Sequence, residues 1–177
     1  MSRRTRILGA LAATAALLAG CATLPGTAAV VDGQRITQGE VTEATDMFGR
    51  LLGSAPNTAA VLDALVKEKV VTPVAGDFDL VASDGEVVDY LNQYAVASGG
   101  EVLDQADLPA SGLAAGRYLL LMERMSGEEA VLEISNEMLR AFQDAEIEMN
   151  PRFGSYDENG LLTATSFPWI HTENAAQ

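Results

Sequence analysis

The side chains that could do covalent or metal chemistry are few. Cys21 is the only cysteine and His171 the only histidine. Nucleophilic catalysis needs a thiol or hydroxyl paired with a base, and His171 stands in no such serine or cysteine context. It also lacks the second histidine or cysteine that a zinc site needs. Asp77, Asp79 and Asp84 do not match the spaced oxygen ligands of a calcium loop, so they read as a solvated face. Glu128 and Glu129 are adjacent, and neighbouring helical residues do not aim at one reacting group; they suit the positive start of a helix. No glycine-rich phosphate loop is present. The sequence therefore predicts no catalytic residue, no metal site and no cofactor, which leaves Cys21 as the one reactive position.

The setting of Cys21 says what that chemistry would be. In "MSRRTRILGALAATAALLAGC", Arg3, Arg4 and Arg6 precede an apolar run from Ile7 to Ala19, the pattern of a secretory signal. The run is too short for a mature membrane span, which takes about 20 apolar residues. A single cysteine in an exported chain has no partner for an intramolecular disulfide. Leu18-Ala19-Gly20-Cys21 resembles a bacterial lipobox. That resemblance implies a diacylglyceryl group on the Cys21 thiol, cleavage before it, and lipid on the new N-terminus; the plainer alternative is an ordinary signal that happens to contain a cysteine. Two or three acyl chains anchor a protein stably where one does so only marginally. The expected layout is a signal peptide over 1–20, a lipidated cysteine and tether over 21–28, a helical domain over 29–149 and an aromatic-containing tail over 150–177. The expected location is the extracytoplasmic face of the cell membrane, with Cys21 as the anchor.

Composition narrows the partners. The chain of 177 residues is 48% hydrophobic and 20% charged, which suits one globular domain plus an extension. Its formal charge is −14, and beyond the signal eight basic side chains face 25 acidic ones, a net −17. Such a surface repels phosphate backbones, which argues against nucleic acid, and it argues against a basic membrane-hugging face.

Local patterns then place the elements. "AAVV" predicts a short strand, "DG" a tight turn and "RI" a second extended piece. Thr37 and Glu40 in "TQGE" form a capping box that opens a helix with Val41, Ala44, Thr45, Phe48, Leu51 and Leu52 on its buried face. A second helix runs from Asn57 or Thr58 with Val61, Leu62, Leu65, Val66, Lys69 and Val70 inward. Pro73 either ends it near Val71 or kinks it before it resumes through Ala75. "FDLVAS" suggests a brief extended segment. Ser83 and Glu86 cap a third helix carrying Val87, Val88, Tyr90, Leu91, Tyr94 and Ala95. Gly112–Met125 is apolar nearly all round from Tyr118 to Met122, which predicts a central buried helix. The next helix starts near Glu128 with Val131, Leu132, Ile134, Met138, Leu139 and Phe142 inward, and "EIEMNP" suggests a strand and turn. The expected fold is mainly α, about five helices with a short β pairing of N- and C-terminal segments.

In this order the motifs resemble the N-terminal chaperone domain of the SurA/PrsA group of exported peptidyl-prolyl isomerase chaperones. "AAVVDGQRITQGEV", "VLDALVKEKVV" and "VASDGEVVDYL" carry the resemblance, over roughly Ala28 to Leu91. Full members insert a parvulin isomerase domain between the helical segments, and this chain has no room for one. The resemblance thus implies the chaperone module alone, binding unfolded exported polypeptides through an apolar groove without ATP or isomerase activity.

Phe48, Tyr90, Tyr94, Tyr118, Met122, Met125 and Phe142 are the candidate client-binding residues. Met138 and Met149 extend the set, since flexible thioethers suit promiscuous surfaces; the same residues also fit a plain core. Phe153, Tyr156, Phe167 and Trp169 supply four of the ten aromatics, in a tail that either pairs with the Val30 strand or occupies the groove, with "ENGLL" fitting a hairpin. Two functions remain open: a lipid-anchored holdase for exported polypeptides, or an envelope lipoprotein docking one specific protein partner.

Overall fold

A computed structural model describes residues 25–157 and 159–163. Cys21 and the expected signal, and the tail residues Phe167, Trp169 and His171, lie outside the described residues. β1 (Thr27–Val31) and β2 (Gln34–Thr37) form the expected hairpin. Asp32 and Gly33 both take positive φ, 48° and 76°, as a two-residue hairpin turn requires. Asp32 also fastens the hairpin to distant chain: its N–H donates to the Glu146 carbonyl at 2.9 Å and its carboxylate accepts from the Glu146 N–H at 2.8 Å. β3 (Ile147–Met149) lies antiparallel on the other side of β1, giving the order β2-β1-β3 with Ala29 opposite Met149. The β pairing of N- and C-terminal segments is therefore present, and 147–149 rather than the tail supplies it.

Five helices complete the described fold. α1 (Gln38–Leu52) starts at the predicted box: the Thr37 hydroxyl accepts from the Glu40 N–H at 3.1 Å and the Glu40 carboxylate accepts from the Thr37 N–H at 2.7 Å. Its buried face is Val41, Ala44, Met47, Phe48 and Leu51, turned towards Met47 so that Thr45 and Leu52, expected inward, are only half-buried; the Thr45 hydroxyl donates to the Val41 carbonyl. α2 (Thr58–Asp77) is capped by Asn57 and continues as helix past Pro73 to Asp77. A mid-helix proline costs about 3 kcal/mol. Val70, Val71 and Ala75 are buried on either side of it and offset that cost at about 1.5–3 kcal/mol per fully buried valine.

Leu80 to Ser83 forms no ladder, so the extended segment expected in "FDLVAS" is a link without a strand. It ends at the second box, which opens α3 (Asp84–Ser98). There the Glu86 carboxylate accepts from the Ser83 hydroxyl and amide and meets the Arg124 guanidinium. These hydrogen bonds from Ser83, then from Arg124, hold its pKa at about 2. A depressed carboxylate adds stability above its ordinary value and loses it as pH falls through the folded one. Acidifying from pH 4.5 to 2 should therefore loosen the start of α3. Carboxyl NMR checks this: a Glu86 midpoint near the ordinary 4.5 would show that the box and ion pair do not persist in solution.

α4 (Ala110–Ser126) packs against α1, α2, α3 and α5 (Val131–Asp144). Gly116 lets it approach α3, since a Cβ there would stand 2.8 Å from both Leu91 and Val87. α4 is central, yet not buried all round: Leu120 and Leu121 are inside, Tyr118 and Met122 are half-buried and Leu119 is exposed. Glu128 and Glu129 precede α5, whose first-turn acid is Glu133. Ile134 and Met138 are its buried residues, whereas Leu132 and Leu139, expected inward, are 77% and 42% exposed. Described parts of the expected tail, 150–157 and 159–163, include a second hairpin of β4 (Ser155–Tyr156) and β5 (Leu162–Thr163).

Candidate functional site: two apolar grooves beside α4

The seven candidate residues do not line one groove. Phe48, Tyr90 and Tyr94 meet Leu51, Leu52, Leu91 and Leu119 in a hollow of about 190 Å³ between α1, α3 and α4. Tyr118, Met122, Met125 and Phe142 line a separate one of about 250 Å³ with Val71, Met138, Leu139 and Leu161, between α2, α4, α5 and the β4–β5 hairpin. Helix geometry explains the division. Tyr118, Met122 and Met125 fall at i, i+4 and i+7 on one stripe, while Leu119 is about 100° further round. Where α1 and α4 touch, the Met47 sulfur sits in the space that any side chain at Gly112 would need. The first hollow lies along the C-terminal end of α1, at Phe48, Leu51 and Leu52. Met149 lines neither groove and packs in β3.

The first hollow is aromatic. Tyr90 and Tyr94 stack edge to face at 5.5 Å, and Tyr94 is 53% exposed. Burial, and then the Glu123 carboxylate, push the Tyr90 hydroxyl pKa upward, so this phenol stays a neutral donor at ordinary pH. The second hollow is rich in thioethers, and its one close polar neighbour for sulfur is weak: the Ser135 hydroxyl, 3.9 Å from Met125 Sδ. Burial and the Asp63 charge push Tyr118 up to about 12. Met138, Leu139 and Leu161 join this site through tertiary packing. The stripe of Tyr118, Met122 and Met125 on α4, with Met138 and Phe142 four residues apart on α5, was the local signal for it.

The β4–β5 hairpin forms one wall of the second groove. The Tyr156 hydroxyl donates to Asp63 at 2.9 Å, and Lys67 donates to the other carboxylate oxygen at 2.9 Å. Tyr156 meets Phe142 edge to face at 4.9 Å, and Gly160 lies so close to the Phe142 ring that a Cβ would stand 2.9 Å away. Burial, then Asp63, raise the Tyr156 pKa strongly. Asp157 makes the turn, accepting from the amides of Asn159 and Leu161. Tyr156→Phe should cost about 1–2 kcal/mol, since it deletes a hydrogen bond to a charged, half-buried group. Urea unfolding with amide exchange at Leu161 measures this; unchanged protection would mean that the aromatic packing alone seats the hairpin.

Among the described residues, Thr27 and Ser111 carry buried hydroxyls without a hydrogen-bond partner, so neither has a base bonded to it. No group of three or more potential metal ligands is gathered among the described residues, and no helix among them is long and apolar enough to cross a membrane. Comparison with protein-family models, curated proteins and solved structures finds no match to this chain. What the two grooves can do chemically is bind apolar side chains.

Proposed function

We propose that this chain is a lipid-anchored, extracytoplasmic binding protein of chaperone type, which captures apolar stretches of unfolded exported polypeptides without ATP, isomerase activity or other covalent chemistry. The carrying observation is the groove between α4 and α5, where Met122, Met125 and Met138 line a hollow with the half-exposed Leu139 and Leu161 at its rim. Thioethers repack around unlike side chains, which suits clients that share apolarity rather than shape. The lipobox at Cys21 supports the anchor, and the order of motifs from Ala28 to Leu91 supports a SurA/PrsA-like scaffold. A second reading, docking of one specific envelope partner, is favoured by the other side of α4. There Tyr94, 53% exposed, stacks on Tyr90 with the exposed Leu119 beside them in the hollow, the kind of aromatic anchor that specific interfaces use.

Light scattering from several unrelated unfolded proteins, with and without the full chain, tests the proposal. Suppression of aggregation across most of them is expected. Failure with all of them, together with capture of a single folded envelope protein, would replace the first reading by the second. Intact mass of membrane-extracted protein tests Cys21, and a mass without added lipid removes the anchor.

A further inference from the structure

The cations of this acidic chain are not evenly spent. Beyond the signal there are eight, and five of them, Arg50, Lys67, Arg117, Arg124 and Arg140, are ion-paired with carboxylates. The other three, Arg35, Lys69 and Arg152, have no carboxylate within salt-bridge distance among the described residues, and they bond only to neutral groups. Arg35 on β2 donates to the Pro25 carbonyl at 2.9 Å. Arg152 donates to the Gln38 side chain at 3.2 Å, and Gln38 in turn donates to the Thr27 carbonyl. Lys69 donates to Gln34, at the other end of β2, at 3.3 Å. All three therefore gather along the β2 edge, and the two arginines flank Pro25 to Thr27, where the chain leads back towards Cys21. Both arginines are exposed.

We propose that this edge is the face the domain turns to the bilayer, with Arg35 and Arg152 contacting anionic phospholipid headgroups and Lys69 adding to the field. The inference rests on lipidation of Cys21. Pro25 is four chain steps from Cys21, and at about 3.5 Å each they reach no more than roughly 14 Å. A domain held that close, with five cations against 25 carboxylates and so a net −20 on the rest of the chain beyond the signal, is repelled by an anionic surface in every orientation except the one that presents unpaired cations. Each such cation near an anionic leaflet favours the contact about fivefold. Carboxylates flank this edge, and Asp32 at the hairpin turn is engaged by the Glu146 amide. Glu40 is engaged in the α1 cap, and Glu148 shares Arg35's row of the sheet from two strands away, roughly 10 Å. The orientation has a use. Phe48 and Leu52 lie roughly 16 to 22 Å along α1 from Thr37, so the Tyr90–Tyr94 hollow is held off the headgroups.

The test uses the full lipidated chain in phosphatidylcholine vesicles with and without phosphatidylglycerol, both carrying a nitroxide-headgroup lipid as quencher. A fluorophore is placed at G39C, beside Gln38 where an added Cβ would meet only the Thr37 hydroxyl, at an ordinary 3.7 Å, or at Q93C on the exposed side of α3. Phosphatidylglycerol should raise quenching at position 39 at least twofold and leave position 93 unchanged. The rise should vanish in R35Q/R152Q, persist in R35K/R152K, and fade in 0.5 M salt. Equal quenching at 39 and 93, or a rise that survives R35Q/R152Q, overturns the proposal while the anchor stands. Failure to float with neutral vesicles removes the anchor, and the proposal with it.

Discussion

Leu62→Ala should lower the unfolding free energy by about 3 kcal/mol, within the 2–5 kcal/mol seen when a fully buried leucine is truncated. Leu62 is 0% exposed and sits in α2, the helix that packs against α1, α4, α5 and the sheet. Its removal takes away both transfer energy and the neighbours' packing, since a cavity among helices fixed at both ends closes only in part. The urea midpoint should fall by about 1–3 M at an ordinary denaturant slope. Leu132→Ala supplies the control: at 77% exposure its cost should stay within about 0.5 kcal/mol. Both leucines have helical periodicity and flanking charges of the same kind, so the contrast tests the packing and not the pattern. A loss below 1 kcal/mol at Leu62 would mean that α2 is not packed into α1, α4 and α5 as the fold has it.

Charge placed in the thioether groove should abolish client capture. Met122→Glu with Leu139→Glu puts two carboxylates where an apolar segment would be desolvated. Both positions are partly solvent-exposed in the fold, so the chain tolerates them. Loss of even half the burial energy of two such side chains, about 1.5–3 kcal/mol each, weakens binding by at least tenfold at 1.4 kcal/mol per decade. Aggregation suppression should fall accordingly, while Tyr94→Glu on the opposite side of α4 leaves it intact. The reverse result, with Tyr94→Glu harmful and the methionine-groove pair silent, would transfer the function to the aromatic hollow and to a single docked partner.

What was legible in the sequence was local. The two capping boxes depend on side chains three residues apart, and the Asp32-Gly33 turn on two adjacent residues with positive φ. All three were found where the residues stand. Pro73 was harder because its outcome sets a fixed local cost against burial at Val70, Val71 and Ala75, which only the assembled helices provide. The burial of α5 was overestimated for a related reason. Leu132 and Leu139 fit its helical stripe, but α4 and α2 cover only the Ile134–Met138 side. The candidate site was legible as a set of residues and not as a place. Nothing short of the packing of α1 and α3 on one flank of α4, with α5 and the second hairpin on the other, separates Tyr94 from Met122. The three cations left without carboxylates were invisible for the same reason, because a net charge does not say which charges have partners.

The pairing of Ala29 with Met149 also sets a schedule. β1 is synthesised roughly 120 residues before β3, which at 5–20 residues per second is a wait of about 6 to 24 s. Throughout that interval β1 has only β2 beside it, and its other edge offers unpaired N–H and C=O groups to any extended chain that comes near. Closing so long a loop is entropically the most demanding step in the sheet. Asp32, by gripping Glu146 from the far end of the hairpin, is placed to register that closure. The molecule is thus a nascent chain with an open strand edge of its own before β3 arrives and seals it.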